Sequence, residues 1–340
     1  MIDKSIKKIL VIKLRGIGDI VLSTIILDNL KQHFPDAKID YLTDPAGKPG
    51  LEGLPQINSV ILFPRNNLLE RLTLIYKIFR ENYDVVFDFF SNPSTALITF
   101  FSRAKYRVGF PYRGRKYAYN LFGPNERGKY HSAILHLKLL EGIGIVTKFS
   151  NLHFYISDKD QKFADEFFES QNLKGKFVIG ISPSGGWQSK KCDPEKFAEF
   201  ANALKDKYNC SILILWGPED KNDALIINNL VEKSILAPPS TIREMAALIK
   251  NCSILIANDS GPMHISTAVG TPVLSLHGPT NPEHQGPFGD NHEYIILDDL
   301  DCIKCNLLVC PYEHECFKNI NVDLVLDKIN NIIKRNKIEI

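Results

Sequence analysis

Apolar residues along this chain fall in short blocks separated by amphipathic stretches of helical period, the pattern of a parallel sheet with crossover helices. Residues 8–14 (KILVIKL) form the first apolar run, which ends near Gly16 and is followed by an amphipathic helical stretch over about 19–34. Residues 38–42, 60–63 and 85–89 read as further strands, with helices over 68–81 and 133–142; Gly142 and Gly144 stop the latter. The pattern then restarts. A polar helix over 160–170 leads to a buried strand at 177–181, and the order continues with helix 194–207, strand 212–216, a helix near 223–231, helix 242–250, strand 254–257, helix 262–269 and strand 272–277. The predicted fold class is therefore α/β, with two Rossmann-like doubly wound domains, 1–160 and 161–340. The boundary falls between about 150 and 175. Ligands of such sheets bind beyond the carboxyl ends of the strands, so two facing sheets would hold a substrate in the cleft between them. The last helix, 322–337, could pack back on the first domain.

At 340 residues the chain has room for two cores, and 44% hydrophobic with 24% charged residues is a globular composition. A net charge of +2 gives no reason to expect a nucleic-acid partner. The basic N-terminus does not read as a signal peptide, because Lys13 and Arg15 break its apolar run and no cleavage site follows. Residues 85–101 are the most apolar region, but Asp88, Ser91, Asn92 and Pro93 interrupt them, so no membrane span is expected. These features predict a cytoplasmic protein that could touch the inner membrane peripherally. Charge is uneven locally. Arg103, Lys105, Arg107, Arg113, Arg115, Lys116, Arg127 and Lys129 face one acid, Glu126, and are interleaved with Tyr106, Tyr112, Tyr117 and Tyr119. This is either a solvated loop or a surface for an anionic acceptor or membrane, with Arg107, Arg113 and Arg115 as acceptor contacts.

Four strand-end motifs carry candidate chemistry. In KLRGIGD (13–19), Val21 stands where dinucleotide binding would want a third glycine, so the Gly-x-Gly-x-x-Gly fingerprint fails. What remains is a glycine-flexed turn, including Gly18, that brings Asp19 to the mouth of a sheet as a helix cap or as a general base. In ISPSGGWQSKKCDP (181–194), small residues such as Ser184 let backbone approach a phosphate and Lys190 or Lys191 supplies a compact charge; a polar loop with exposed lysines is the alternative. In NDSGPMHISTAVG (258–270), Pro262 and Gly270 mark helix limits, and the amides of Ser260 and Gly261 make an anion site. Asp259 beside them suits sugar hydroxyls, while for His264 a satisfied, half-buried structural histidine is the commoner case. The fourth motif, LHGPT (276–280), contributes Gly278, Pro279 and Thr280 and opens into a Gly/Pro loop.

In this order the motifs resemble glycosyltransferase family 9, the ADP-heptose:lipopolysaccharide heptosyltransferases, across most of the chain. The resemblance implies the GT-B architecture and an inverting transfer of heptose from ADP-heptose to a lipopolysaccharide core or other anionic glycan. It implies Asp19 as the base that deprotonates the acceptor hydroxyl. Lys191 would neutralise the leaving diphosphate with Ser260, Gly261 and Thr280, and Asp259 would hold the heptose. Glu219 is then a ribose partner, and Ser240 or Thr241 lies at the adenine pocket. Asp193 replaces the family's usual Trp, and the doubled Lys190–Lys191 leaves the phosphate lysine open by one position.

No catalytic metal is expected, because the two Asp-x-Asp pairs, Asp158/Asp160 and Asp299/Asp301, lie outside these motifs. Cys302, Cys305, Cys310 and Cys316 lie close enough in sequence to surround one tetrahedral ion, a structural zinc with iron as the alternative; free thiols or one disulfide are the plainer readings. Two other functions compete with heptosyl transfer: a GT-B transferase of another nucleotide sugar onto a different glycan or protein, and a non-catalytic nucleotide-sugar binding protein.

Overall fold

A computed structural model describes residues 2–3 and 5–340, with position 127 described by its backbone only. The chain divides into two compact units, Met1–Tyr155 and Ile156–Ile340. The first holds β1 (Lys8–Ile12), β2 (Lys38–Thr43), β3 (Ser59–Leu62), β4 (Val85–Asp88), β5 (Tyr106–Gly109) and β6 (Leu121–Phe122). These form one parallel sheet in the order β3-β2-β1-β4-β5-β6. The second unit holds β7 (Val178–Ser182), β8 (Ser211–Ile214), β9 (Ile235–Leu236), β10 (Ile254–Asn258), β11 (Val273–Leu276) and β12 (Glu293–Ile295). Its parallel order is β12-β11-β10-β7-β8-β9. Both orders reverse beside the first strand of the unit, the switch point at which doubly wound sheets bind ligands.

Register brings the motif loops to one level within each sheet. Ile12 lies opposite Leu42 and Asp88, so the chain leaves the three central strands of the first sheet together. In the second sheet Ala257 lies opposite Ser182 and Ser275, which sets the loops after β7, β10 and β11 side by side. Behind the first sheet, Leu10, Ile12 and Val86 pack with Leu74, Ile78 and Ile98 from the helices Leu68–Glu81 and Pro93–Phe101. Behind the second, Ile179, Ile212 and Ile254 pack with Phe197 and Phe200 of helix Pro194–Tyr208. Burying one such phenylalanine contributes roughly 1.5–3 kcal/mol. The last helix, Val322–Asn336, closes this second core with Val325, Ile329 and Ile332.

Several elements differ from the periodicity reading. The helix expected over 19–34 is two helices, Ile17–Ser23 and Leu27–His33, joined by a tighter 3-10 turn at Thr24–Ile26. Ser23 and Thr24 donate their hydroxyls to the carbonyls of Ile20 and Val21, the kind of back-bonding that bends a helix. The residues that interrupted 85–101 start a helix instead. Asn92 caps it in a reciprocal box with Thr95, and Pro93 occupies its first turn. The basic stretch 103–129, read above as a loop or surface, also contains β5 and β6.

Candidate active site

In the first unit, Asp19 lies in the first turn of helix Ile17–Ser23, whose N-cap is Gly16 without any side-chain cap. Asp19 is therefore not the cap, although its carboxylate complements the helix dipole. Gly18, beside it, is buried in the same turn. Lys13 lies beneath, its side chain 5% exposed, with Nζ 3.3 Å from Asp19 Oδ1, whose side chain is 42% exposed. The carboxylate thus rests on a buried cation and faces water. Around it, Lys13 Nζ and Arg15 Cζ lie 5.9 and 5.3 Å from the Phe90 ring. Arg15 adopts a left-handed φ of 95°, which aims its amide at Asp44 Oδ2, 2.6 Å away. Arg65 forks the same carboxylate at 2.7 and 2.6 Å. Burial alone would raise the pKa of Asp44, but the Arg65 and Arg15 hydrogen bonds hold it below the ordinary value. Asp88, at the end of β4, is fully buried and accepts hydrogen bonds from the amides of Phe90 and Ser91 and the hydroxyl of Tyr119. Its burial raises its pKa, against those bonds.

Sequence reasoning passed over Asp44, Arg65 and Asp88. The signal for Asp44 and Asp88 was their place at strand ends, whereas nothing local marks Arg65 as a partner. The expected acceptor arginines divide. Arg107 is not available, because Nε and Nη1 donate to the carbonyls of Ala118 and Ala104 at 2.9 Å each, tying β5 to its neighbours. Arg113 is exposed and lines a shallow depression of about 640 Å³ with Pro111, Gly114, Lys116, Tyr117 and Asn125; Arg115 is half-buried nearby.

In the second unit, Asn258 ties the strand ends together. Its Oδ1 accepts the Cys192 amide at 3.1 Å and its Nδ2 donates to the Pro183 carbonyl at 2.9 Å. Ser184 is buried just beyond. Asp259 Oδ2 meets Lys190 Nζ at 2.6 Å and accepts from Thr280 Oγ1 at 2.6 Å. Lys190 also lies 4.3 Å from the centroid of Trp187. Lys191 turns elsewhere, to Asp220 at 2.7 Å and Asp223 at 3.3 Å. Burial works to lower the pKa of Lys191, but these two carboxylates raise it above the usual lysine value. Lys190, not Lys191, thus stands at the Asp259 motif, and the Thr280 hydroxyl is directed to Asp259.

Burial opposes ionisation of Asp259, yet His277, Lys190 and His264 together hold its pKa below the ordinary value. Burial pushes His277 down to about 4, so its ring is neutral at neutral pH, while Lys190 Nζ makes the direct ion pair with Asp259. His277 is fully buried, with Nε2 2.9 Å from Ser275 Oγ. No side chain caps helix Gly261–Val269, and Ser260 donates its hydroxyl back to the Asn258 carbonyl. The Ser260–Gly261 end therefore presents backbone amides beside a lysine, an arrangement suited to an anion. His264 is buried in the first turns of that helix. Glu219 is exposed after β8. Ser240 precedes helix Ile242–Asn251, and Thr241 caps that helix in a box with Glu244.

The cysteine segment is a strap across these loops. Lys304 and Asn306 donate their amides to the carbonyls of Gly278 and Pro279, and the Cys310 amide donates to Gln188 Oε1. Ser189 bonds the Leu307 carbonyl through its hydroxyl and the Leu308 carbonyl through its amide. Gly278 is needed here, because a Cβ would fall 2.4 Å from Cys316 Sγ. All four cysteines are free thiols, with Cys305 exposed and Cys316 half-buried against the second core. Burial first, then the neighbouring Cys310, Cys302 and Cys305, push the Cys316 thiol up to about 12. Yet among the described residues no three histidine, cysteine or acidic side chains gather as metal ligands. Cys316 packs on Gly278, and Cys305 is exposed.

Residues 71–315 match the family model of glycosyltransferase family 9 (heptosyltransferase). Lipooligosaccharide heptosyltransferase 2 of Haemophilus influenzae is 24% identical, over 96% of this chain and 99% of that protein. A glycosyltransferase of family 9 from Veillonella parvula superposes with a TM-score of 0.85 at 24% identity, covering 97% of each chain. The E. coli heptosyltransferase WaaC with ADP superposes at 0.73 with 17% identity, covering 96% of this chain and 99% of that one. With two six-stranded parallel sheets of GT-B type and a family match over most of its length, the chain belongs to glycosyltransferase family 9 and is a glycosyltransferase.

Proposed function

We propose that the chain transfers heptose from ADP-heptose to a lipopolysaccharide inner-core acceptor, with inversion at the anomeric carbon. The observation that carries this reading is the uncapped Gly261–Val269 helix end beside Asp259 and Lys190, with Lys191 on the same loop paired to Asp220 and Asp223. Amides and two lysines at one set of strand ends suit a nucleotide diphosphate. Family membership and relatives that are heptosyltransferases support heptose as the sugar. In the proposed reaction, Asp19 takes the proton of the acceptor hydroxyl as that oxygen attacks the anomeric carbon. The bond from that carbon to the diphosphate oxygen breaks, and ADP leaves with the charge. The lysine that meets the diphosphate and the Ser260–Gly261 amides stabilise this developing charge, each such contact being worth roughly 2.7–4 kcal/mol of barrier. Glu219 and the Ser240–Thr241 turn are placed at the nucleoside, and Arg113 and Arg115 at the anionic acceptor. The second unit is thus the donor side and the first the acceptor side. An acceptor made on lipid places the protein at the cytoplasmic face of the inner membrane.

The test is a donor screen with ADP, UDP and GDP sugars on defined core acceptors, the product read by mass spectrometry. Transfer from ADP-heptose is expected; stabilisation and transfer with UDP-sugars alone would sink the heptose assignment. Asp19→Asn is expected to lower kcat by about 10²–10⁴-fold with ADP affinity retained, and unchanged turnover would remove Asp19 as base. Lys191→Ala is expected to weaken ADP binding; if Lys190→Ala alone does so, the diphosphate lysine is Lys190.

A further inference from the structure

The helices Leu68–Glu81 and Pro93–Phe101 bury Leu74, Ile78 and Ile98 toward their sheet, yet their outer sides are apolar too. Leu68, Leu72, Tyr76 and Phe79 follow helical spacing on the first helix and are 69%, 54%, 61% and 38% exposed. Leu97, Phe100 and Phe101 are exposed on the second. The two sides meet at Arg103, whose amide donates to the Phe100 carbonyl. Arg103 Cζ lies 5.8 Å from the Phe79 ring, Phe100 lies 5.4 Å from Phe101, and Tyr117 lies 5.7 Å from Phe100. Soluble monomers rarely leave so much contiguous apolar surface uncovered without a use for it.

The rim selects the occupant. Lys77, Arg80, Arg103, Lys105 and Lys116 are all exposed around the strip. Of the two acids on the first helix, Glu81 is paired with Lys8 at 3.2 Å, and Glu70 stands at the opposite end against its capping Asn67. A second copy of the chain would bring the same positive rim against this one and be repelled. An anionic bilayer offers both what the rim wants and what the strip wants: negative headgroups for the cations and an acyl boundary for Leu, Phe and Tyr. No described helix is long and apolar enough to cross a membrane, so such contact would lie on the surface. We propose that this outer face is a docking surface for an anionic lipid bilayer, laid onto the headgroup layer with Tyr76, Phe101 and Leu72 inserted. The inference deepens the membrane-side placement above and rests on that reading only for which leaflet is met.

The experiment is flotation of the full chain through a density gradient with two kinds of vesicle, phosphatidylcholine alone and phosphatidylcholine with roughly one third phosphatidylglycerol. The native protein is expected to float with the anionic vesicles only, and to release as salt rises toward about 1 M. Leu72→Gln with Phe101→Ser, and separately Lys77→Glu with Arg80→Glu, should each cut partitioning by at least roughly 10-fold. Both pairs sit on the surface, so thermal midpoints and heptosyl transfer to a soluble, delipidated core acceptor should stay unchanged. Failure of the native chain to float with either vesicle overturns the proposal, as does flotation of the variants equal to native. Sedimentation that shows a dimer lost in the Leu72→Gln, Phe101→Ser variant would give the face to a second copy instead. Loss of transfer activity with vesicle binding intact would sink the heptosyltransferase reading and leave this one standing.

Discussion

His277 shows how one residue of the candidate site couples it to pH. The ring is fully buried beside Ser275, and burial pushes its pKa down to about 4. In the unfolded chain the same imidazole titrates near ~6.5. Between those values the unfolded state binds a proton that the folded state refuses, so folding stability falls as pH drops from about 6.5 toward 4. At pH 5 this one histidine costs about 2 kcal/mol relative to neutral pH. Asp259 acts in the same direction, because its lowered pKa contributes stability that is lost as pH falls through that value. The two windows are offset: the histidine loss runs from about 6.5 to about 4, and the carboxylate loss sets in toward the lower end of that range and continues below it. Urea midpoints taken from pH 7 to 4.5 should therefore fall, with most of the slope below 6.5. His292, which burial also lowers to about 4, acts in the same window, so a flat profile there would mean that both rings are hydrated or protonated in the folded protein.

Among elements, the cysteine strap separates packing from ligation. Cys316 Sγ packs where a Cβ on Gly278 would have to be, whereas Cys305 is exposed. Cys316→Ser would put a hydroxyl against that packed surface, at a cost of about 1–3 kcal/mol. Cys305→Ser should stay within about 0.5 kcal/mol of the native protein. Denaturation midpoints of the single variants decide the matter, since comparable large losses at all four positions would mark a shared metal. The same strap shows what the sequence could and could not tell. Helix Leu68–Glu81 was legible to the residue, and the other predicted helices and strands to within a few, except 19–34, which is two helices and a 3-10 turn, because period and punctuation are local. The short edge strands Leu121–Phe122, Ile235–Leu236 and Glu293–Ile295 were not, since two or three residues carry no period. Asp259, Lys190 and Thr280 were each named from motifs, but which lysine meets Asp259 is a matter of how the loop folds. The strap's bonds from Leu307 and Leu308 to Ser189 span more than a hundred residues, and no local pattern encodes them.

For the whole molecule, the division into two units with separate cores predicts where a donor nucleotide is felt. The candidate diphosphate groups, Lys190, Lys191, Ser260 and Gly261, all belong to the unit Ile156–Ile340, as do the Glu219 and Thr241 positions proposed for the nucleoside. ADP binding should stabilise the elements that carry them, by about 2.7 kcal/mol when ADP is at 100 times its Kd. Proteins open in local cooperative units, so that stabilisation does not spread evenly; it appears in the amides whose opening releases the ligand. Hydrogen exchange with saturating ADP should therefore slow over residues 183–192, 258–264 and 276–280, and over the strap at 304–310 that bonds two of these loops. Amides of β4 and of the Pro93–Phe101 helix in the first unit should exchange at unaltered rates. Slowing that is confined instead to residues 13–19 and 44–65 would place the nucleotide on the first unit and reverse the donor and acceptor assignment. Slowing of the strap without the 258–264 segment would point to an ADP site outside the Asp259 motif. The Lys190→Ala and Lys191→Ala proteins supply the control, because at the same ADP concentration whichever binds ADP more weakly should lose the protection at 258–264 in proportion.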